Sequence, residues 1–236
     1  GGGGGGVAIL GARLQTFLLE RSRVVSVQPG ERGFHVLYGL LASPLAVAIR
    51  LAPYGISAAD FGYLRPGTAS LDERNDGRDF DGLQAALRSV GLTDDDVRAI
   101  GCLLASVLLL GNVSFEQDED GRASPTPAAE PLLAQLAEWL GADLSAALVS
   151  KQLQVGGMSF GRAVTSHLDA ASAGRARDAV ARALYANLFA RVVALVNTVL
   201  APFGAPGATT TNANAATPAV ATPAKAGGGG AGAGAG

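Results

Sequence analysis

The stretch GARLQTFLLERSRVVSVQPGERGFHVLYGLL, Gly11 to Leu41, constrains this chain more than any other. From Arg13 to Val27 it mixes β-branched and aromatic residues with Arg13, Gln15, Thr16, Glu20, Arg21 and Arg23, a pattern that predicts a half-buried strand. Pro29-Gly30 then reads as a turn. Beyond it Phe34, Leu37, Tyr38 and Leu41 recur at helical spacing, so an amphipathic helix is predicted. A strand-turn-helix unit of this kind carries no chemistry of its own.

Composition limits how much chain can join it. Gly1 to Gly6 is a glycine run, and residues 204–236 are Ala, Gly, Thr and Pro with almost no large apolar side chain, so neither end can offset its ordering entropy. The folded part is therefore expected within residues 7–203. A net charge of −2 argues against bulk attraction to nucleic acid or to an anionic membrane. The lone cysteine, Cys102, excludes an internal disulfide and reads as a buried core thiol. Ile100 to Leu110, read as the longest apolar run, is shorter than the roughly 20 residues of a bilayer span. Since VAIL and the residues after it show no signal-peptide pattern, the expected location is the cytoplasm and no membrane span is expected.

Local signals predict a mainly helical remainder. Residues 42–78 alternate short apolar pieces with Pro44, Pro53, Gly55, Gly62, Pro66 and Gly67, which reads as loops and short helices. A helix follows from Asp76 to Val90, with Gly91 as its stop. Thr93 with Asp96 three residues on forms a capping box, and Val97, Ile100, Leu103, Leu104, Val107 and Leu108 make one apolar face of a helix ended by Gly111. Gln117 to Pro127 reads as an acidic surface loop. Pro131 opens a helix closed by Gly141, and Asp143 to Val149 reads as a shorter one. In the last helix, Arg175 to Leu200, a stripe runs through Val180, Leu184, Leu188, Val192, Leu195, Val196 and Val199.

The wording of four segments goes further than their patterns. QTFLLERSRVVSVQPGERGFHVLYGLL closely resembles the myosin motor domain just after switch I, whose usual form is close to QTYLLEKSRVVxQxxGERNFHIFYQLL. LLLGNVSFEQ resembles the myosin segment xLHLGNIxFxx. LAEWLGADLSAALVSKQL resembles AAxLLGVDxxxLxxALTxR, and ARDAVARALYANLFARVVALVN is similar to SRDALAKALYxRLFxWLVxxIN. Tyr63-Leu64 also sits where myosins carry Tyr-Leu-Asn, although Arg65-Pro66 departs from the usual continuation. The resemblance implies a mainly α fold with a short β contribution, a fragment of the P-loop NTPase motor head between switch I and switch II. That fragment covers one sheet strand and much of the upper 50 kDa subdomain. Its sheet partners would lie elsewhere in the family, so the strand is expected to be poorly protected and prone to association.

The same resemblance implies an actin-based, ATP-driven motor, for which Mg-ATP is the cofactor of the complete head. A P-loop needs glycines followed by Gly-Lys-Ser/Thr, yet neither Lys151 nor Lys225 follows a glycine. Switch I would fall among the opening glycines, and switch II would fall where the chain reads APFGAPGATTT. No catalytic, nucleotide-binding or metal residue is expected, and no cofactor is expected in this chain. The run Gly1 to Gly6 satisfies a GxGxxG search with no strand before it. Ser166, His167 and Asp169 are sequence neighbours, which rarely form a triad, and read as a polar loop. His35 reads as a hydrogen-bonded structural residue, and Asn112-Val113-Ser114 as a chance sequon.

One surface remains. Residues 150–162 lie where myosins place a protruding β-hairpin, the cardiomyopathy loop, which contacts actin. The resemblance nominates Lys151, Gln152, Met158, Phe160 and Arg162 as the actin-facing residues, with Gly156-Gly157 in place of positions often polar in the family. The implied partner is the actin filament, the implied setting the cytoplasmic cytoskeleton. A non-motor helical interaction module with weak actin or partner binding is the alternative reading.

Overall fold

A computed structural model describes residues 11–67, 74–155 and 162–201, with only the backbone of residues 153–155 and 162–163. Helices dominate it: α1 (His35–Leu41), α2 (Pro44–Ala48), α3 (Asp76–Ser89), α4 (Asp94–Leu110), α5 (Glu130–Leu140), α6 (Ser145–Val149) and α7 (Ala170–Leu200). Two antiparallel hairpins complete it, β1 (Phe115–Gln117) with β2 (Ala123–Pro125), and β3 (Ser150–Val155) with β4 (Arg162–His167). The glycine run 1–6 and the segment 204–236 lie outside the described residues.

The centre is α4. Its start follows from the capping box: Thr93 Oγ1 accepts the Asp96 amide at 3.1 Å, and Asp96 Oδ2 accepts the Thr93 amide at 2.9 Å. Its end does not follow the predicted face. Ile100 and Leu103 are half-buried, whereas Leu104, Ala105 and every residue from Ser106 to Leu110 are buried. The final two turns are fully enclosed, and α1, α2, α3, α5 and α7 all pack on this one helix. Ser106 satisfies its buried hydroxyl within the helix, on the Cys102 carbonyl at 2.8 Å. Gly111 does end α4, but with an ordinary φ of −60°. Glycine is needed there because a Cβ would stand 2.8 Å from the Tyr63 ring.

The predicted strand Arg13 to Val27 is not a strand. Residues 11–20 have no regular structure, Leu18 turns the backbone at φ +33°, and Arg21–Val24 forms a 3-10 turn that buries Val24. An extended segment needs a ladder partner for its peptide groups, and no strand lies beside it among the described residues. The end of α7 supplies a substitute. Asn197 Oδ1 accepts the Leu14 amide at 2.7 Å while Asn197 Nδ2 donates to the Leu14 carbonyl at 3.0 Å, and the Ala12 amide donates to the Leu200 carbonyl at 2.8 Å. One side-chain amide thus does for Leu14 what a neighbouring strand would do.

After Pro29-Gly30 the helix forms as predicted, and its approach is fixed by Arg32. This guanidinium is 7% exposed, grips both carboxylate oxygens of Asp76 at the start of α3, and lies 3.8 Å from the Tyr38 ring centroid. Arg23 donates to the Arg32 carbonyl at 3.1 Å and pairs with Glu20 and Glu31, so the preceding turn is tied to the same point. Phe34 stacks on Tyr185 of α7 with ring centroids 4.5 Å apart.

Two further elements differ from expectation. The acidic stretch 117–127 is partly a hairpin: β1 pairs with β2 around a turn in which Asp118 accepts the Arg122 amide at 2.7 Å and Gly121 takes φ +78°. The last helix begins at Ala170, earlier than the expected Arg175, because Asp169 caps it by accepting the Ser172 amide at 2.6 Å. Its first residues, Ala170 to Gly174, are too small to show a helical stripe in sequence. By length and composition α7 is also long and apolar enough to cross a membrane, its best window having a mean hydropathy of 1.6. It therefore displaces Ile100 to Leu110 as the longest apolar segment.

Replacing Asp76 by Ala removes both carboxylate hydrogen bonds to the buried Arg32 guanidinium. Urea unfolding of this variant should show a loss of about 1.5–3 kcal/mol, the worth of a hydrogen bond to a charged group. A loss below about 0.5 kcal/mol would mean that the pair does not hold α3 in place.

Candidate functional site

Three segments close the frame beneath the second hairpin. Asn112, half-buried after α4, accepts the Gly62 amide at 2.7 Å and donates to the Asp60 carbonyl at 2.8 Å. Its side-chain amide is occupied structurally, which gives the sequon reading no role. A Cβ on Gly62 would stand 2.4 Å from the Gly111 carbonyl oxygen, so glycine lets the two backbones touch. Tyr63 donates its hydroxyl to Asp178 at 2.7 Å, and burial pushes its phenol well above its ordinary range. Arg177 grips the same carboxylate and donates to the Val113 carbonyl at 2.7 Å. Arg177 and Asp178 thus bind the 60–64 loop and the end of α4 to α7.

From this frame the β3–β4 ribbon rises directly off α6 and returns directly into α7. Leu148 is fully buried at its root, the Leu168 amide donates to the Val149 carbonyl at 2.9 Å, and the Ala123 amide donates to the Leu168 carbonyl at 2.7 Å. Lys151 and Gln152 are exposed, and Val164 is 42% exposed. Gln152 Nε2 reaches Thr165 Oγ1 at 3.4 Å across the strands.

The register decides which nominated residues sit together. Lys151 pairs with Ser166 and Val155 with Arg162, and directly opposed residues share a face of an antiparallel ribbon. Positions 151, 153, 155, 162, 164 and 166 therefore form one face, and Gln152 belongs to the other. Arg162 is four ladder steps from Ser166, about 14 Å farther along the ribbon than Lys151 at 3.4 Å per residue. Met158, Phe160 and Gly156-Gly157 lie outside the described residues. Val164, which the nomination passed over, stands on the same face as Lys151; Ala163-Val164-Thr165-Ser166 has no apolar–polar alternation, so only the ladder register places it there.

Ser166, His167 and Asp169 do not form a loop. The first two close the ladder opposite Lys151 and Ser150, and Asp169 serves as the cap of α7. His35 is exposed at the first position of α1, its pKa lowered by partial burial and by Arg74 and Arg32. Among the described residues no three His, Cys, Asp or Glu side chains are grouped to hold a metal ion. Cys102 is half-buried, and that burial raises its thiol pKa.

A match to the family described as Myosin head (motor domain) covers residues 5–206. The chain belongs to the myosin head family. It is 35% identical over 198 residues to unconventional myosin-Ic of Aquarana catesbeiana, covering 82% of this chain and 19% of the relative. It is 36% identical over 214 residues to human unconventional myosin-XVB, covering 86% of this chain and 7% of the relative. Unconventional myosin heavy chain 6 of Caenorhabditis elegans is 32% identical over 198 residues, with coverage of 82% and 9%. The chain thus spans a fifth or less of the length of these relatives. Membership makes it part of a cytoskeletal motor family, and the mainly helical fold agrees with a fragment of the motor head.

The hairpin's surface and its root should separate energetically. Val164→Asp should leave the urea midpoint nearly unchanged, within about 0.5 kcal/mol. Leu148→Ala should cost about 2–5 kcal/mol. Equal losses would mean that the ribbon is packed against something along its length.

Proposed function

We propose that this chain is a segment of an actin-based motor head and that the β3–β4 ribbon is its actin-facing surface. The observation that carries this reading is the ribbon itself: it is anchored at a buried root between α6 and α7, and carries exposed Lys151, Gln152 and Val164. Lys151 and Arg162 give it cationic positions at both ends of the ladder, suited to acidic groups on a filament. Met158 and Phe160 would extend the contact from the segment joining the strands.

Exposed cations of this kind each contribute on the order of 1 kcal/mol at best, and salt screens them. Binding by this chain alone is therefore weak and falls as ionic strength rises. Replacing Lys151 and Arg162 together by Ala should abolish cosedimentation with actin filaments at low salt while helicity is unchanged. A double variant that cosediments like the parent chain reduces the ribbon to a connector.

On this reading ATP turnover belongs to a complete head rather than to these residues. The support lies in the sequence: no lysine follows a glycine, and no DIxGFE-like segment is present in the 236 residues to position magnesium and water. Calorimetry with Mg-ATP should show no saturable heat, and micromolar binding with turnover would overturn the assignment. The cytoskeletal and cytoplasmic setting follows from the motor role.

A further inference from the structure

Among the described residues a hydroxyl side chain stands immediately before proline three times, at Ser43-Pro44, Ser124-Pro125 and Thr126-Pro127. The fold leaves one of them open. Ser43 is 5% exposed, and its hydroxyl accepts the Leu45 amide at 3.1 Å as the cap of α2. Thr126 is half-buried and shares a 2.8 Å hydrogen bond with the Ser114 hydroxyl across the first hairpin. Ser124 is exposed in the middle of β2, in the extended backbone that a following proline favours. The hairpin buries its other face, with Ala123 6% exposed and Phe115 packed on the core, so Ser124 stands on the outer face with Glu116, its ladder partner.

We propose that Ser124 is a phosphoacceptor for a proline-directed Ser/Thr protein kinase, and that its phosphate loosens the β1–β2 hairpin. In the transfer Ser124 Oγ bonds to the γ-phosphorus of ATP, the bond from that phosphorus to the oxygen of the departing ADP breaks, and the hydroxyl proton leaves on the kinase's base. Proline suits the position after the acceptor because it has no amide N–H to be satisfied in the cleft. The product carries a charge of about −1.5 to −2 at neutral pH. Glu116 stands directly opposite, and like charges so placed repel. Asp118, Glu119 and Asp120 are exposed in the adjoining turn, while the neighbouring cation, Arg122, is already held by Asp120 at 3.2 Å. The strand so loosened is the one whose Ala123 amide donates to the Leu168 carbonyl at 2.7 Å, at the root of the second ribbon. The site therefore joins a surface mark to the base of β3–β4, and it rests on the fold alone, independent of the actin reading.

The test uses the full 236-residue chain, a purified kinase of the mitogen-activated class and Mg-ATP, with the modified residues mapped by mass spectrometry. Ser124 should be modified in the folded chain. Pro125→Ala should lose most of that modification without a change in helicity. Amide hydrogen exchange at Ala123 and Thr126, which donate to Leu168 and Ser114, should rise about fivefold on phosphorylation, the upper end for a cross-strand charge pair. Glu116→Gln, or molar salt, should remove most of that rise. The proposal is overturned if Ser124 stays unmodified, if Pro125→Ala is modified like the parent chain, or if exchange at the two amides is the same before and after phosphorylation.

Discussion

The last two turns of α4 have no side that faces solvent, and the rest of the described structure is arranged to satisfy that. Leu104, Val107, Leu108, Leu109 and Leu110 are 0–2% exposed, each contributing on the order of 1.5–3 kcal/mol through removal from water. One helix face could be covered by one neighbour. A helix end buried all round needs several, and α1, α2, α3, α5 and α7 all pack along α4.

Enclosing the end of α4 leaves polar groups that must be paired, and these pairs set the orientation of the outer elements. Asn112 serves two backbone groups of the 60–62 turn, Arg177 serves the Val113 carbonyl and the Asp178 carboxylate, and Tyr63 joins them. On the opposite flank the Arg32–Asp76 pair sets α3 against α1. Gly39 allows that approach, since a Cβ there would come within 2.9 Å of Phe80. These contacts fix the first half of α7, and with it the direction in which the β3–β4 ribbon leaves the core. The ribbon is thus anchored at its base, while Lys151, Gln152 and Val164 stand exposed on it, an arrangement that lets a surface change without disturbing the fold.

Residues whose signal is local were legible. Thr93 and Asp96 name the start of α4, and Gly91 and Gly141 take the positive φ values expected of helix stops. The position of the ribbon was legible through the resemblance of LAEWLGADLSAALVSKQL and ARDAVARALYANLFARVVALVN on either side of it. Its register was not. Which residues oppose one another depends on backbone pairing from Ser150 to His167, and that pairing separates Lys151 from Arg162 and sets Gln152 on the other face.

The sequence by itself determined the family, the helical character and the caps, because each is written in neighbouring residues. Tertiary structure decided what distant residues do to one another. A strand pattern from Arg13 to Val27 became a loop and a 3-10 turn, since a strand exists only when another backbone completes its hydrogen bonds. The partner that Leu14 found was one side-chain amide 183 positions away, on Asn197. An apolar stripe in α7 likewise reads the same along its whole length in sequence. Packing divides it: Val180, Leu184 and Leu188 lie against the main apolar cluster, whereas Val199 is 53% exposed.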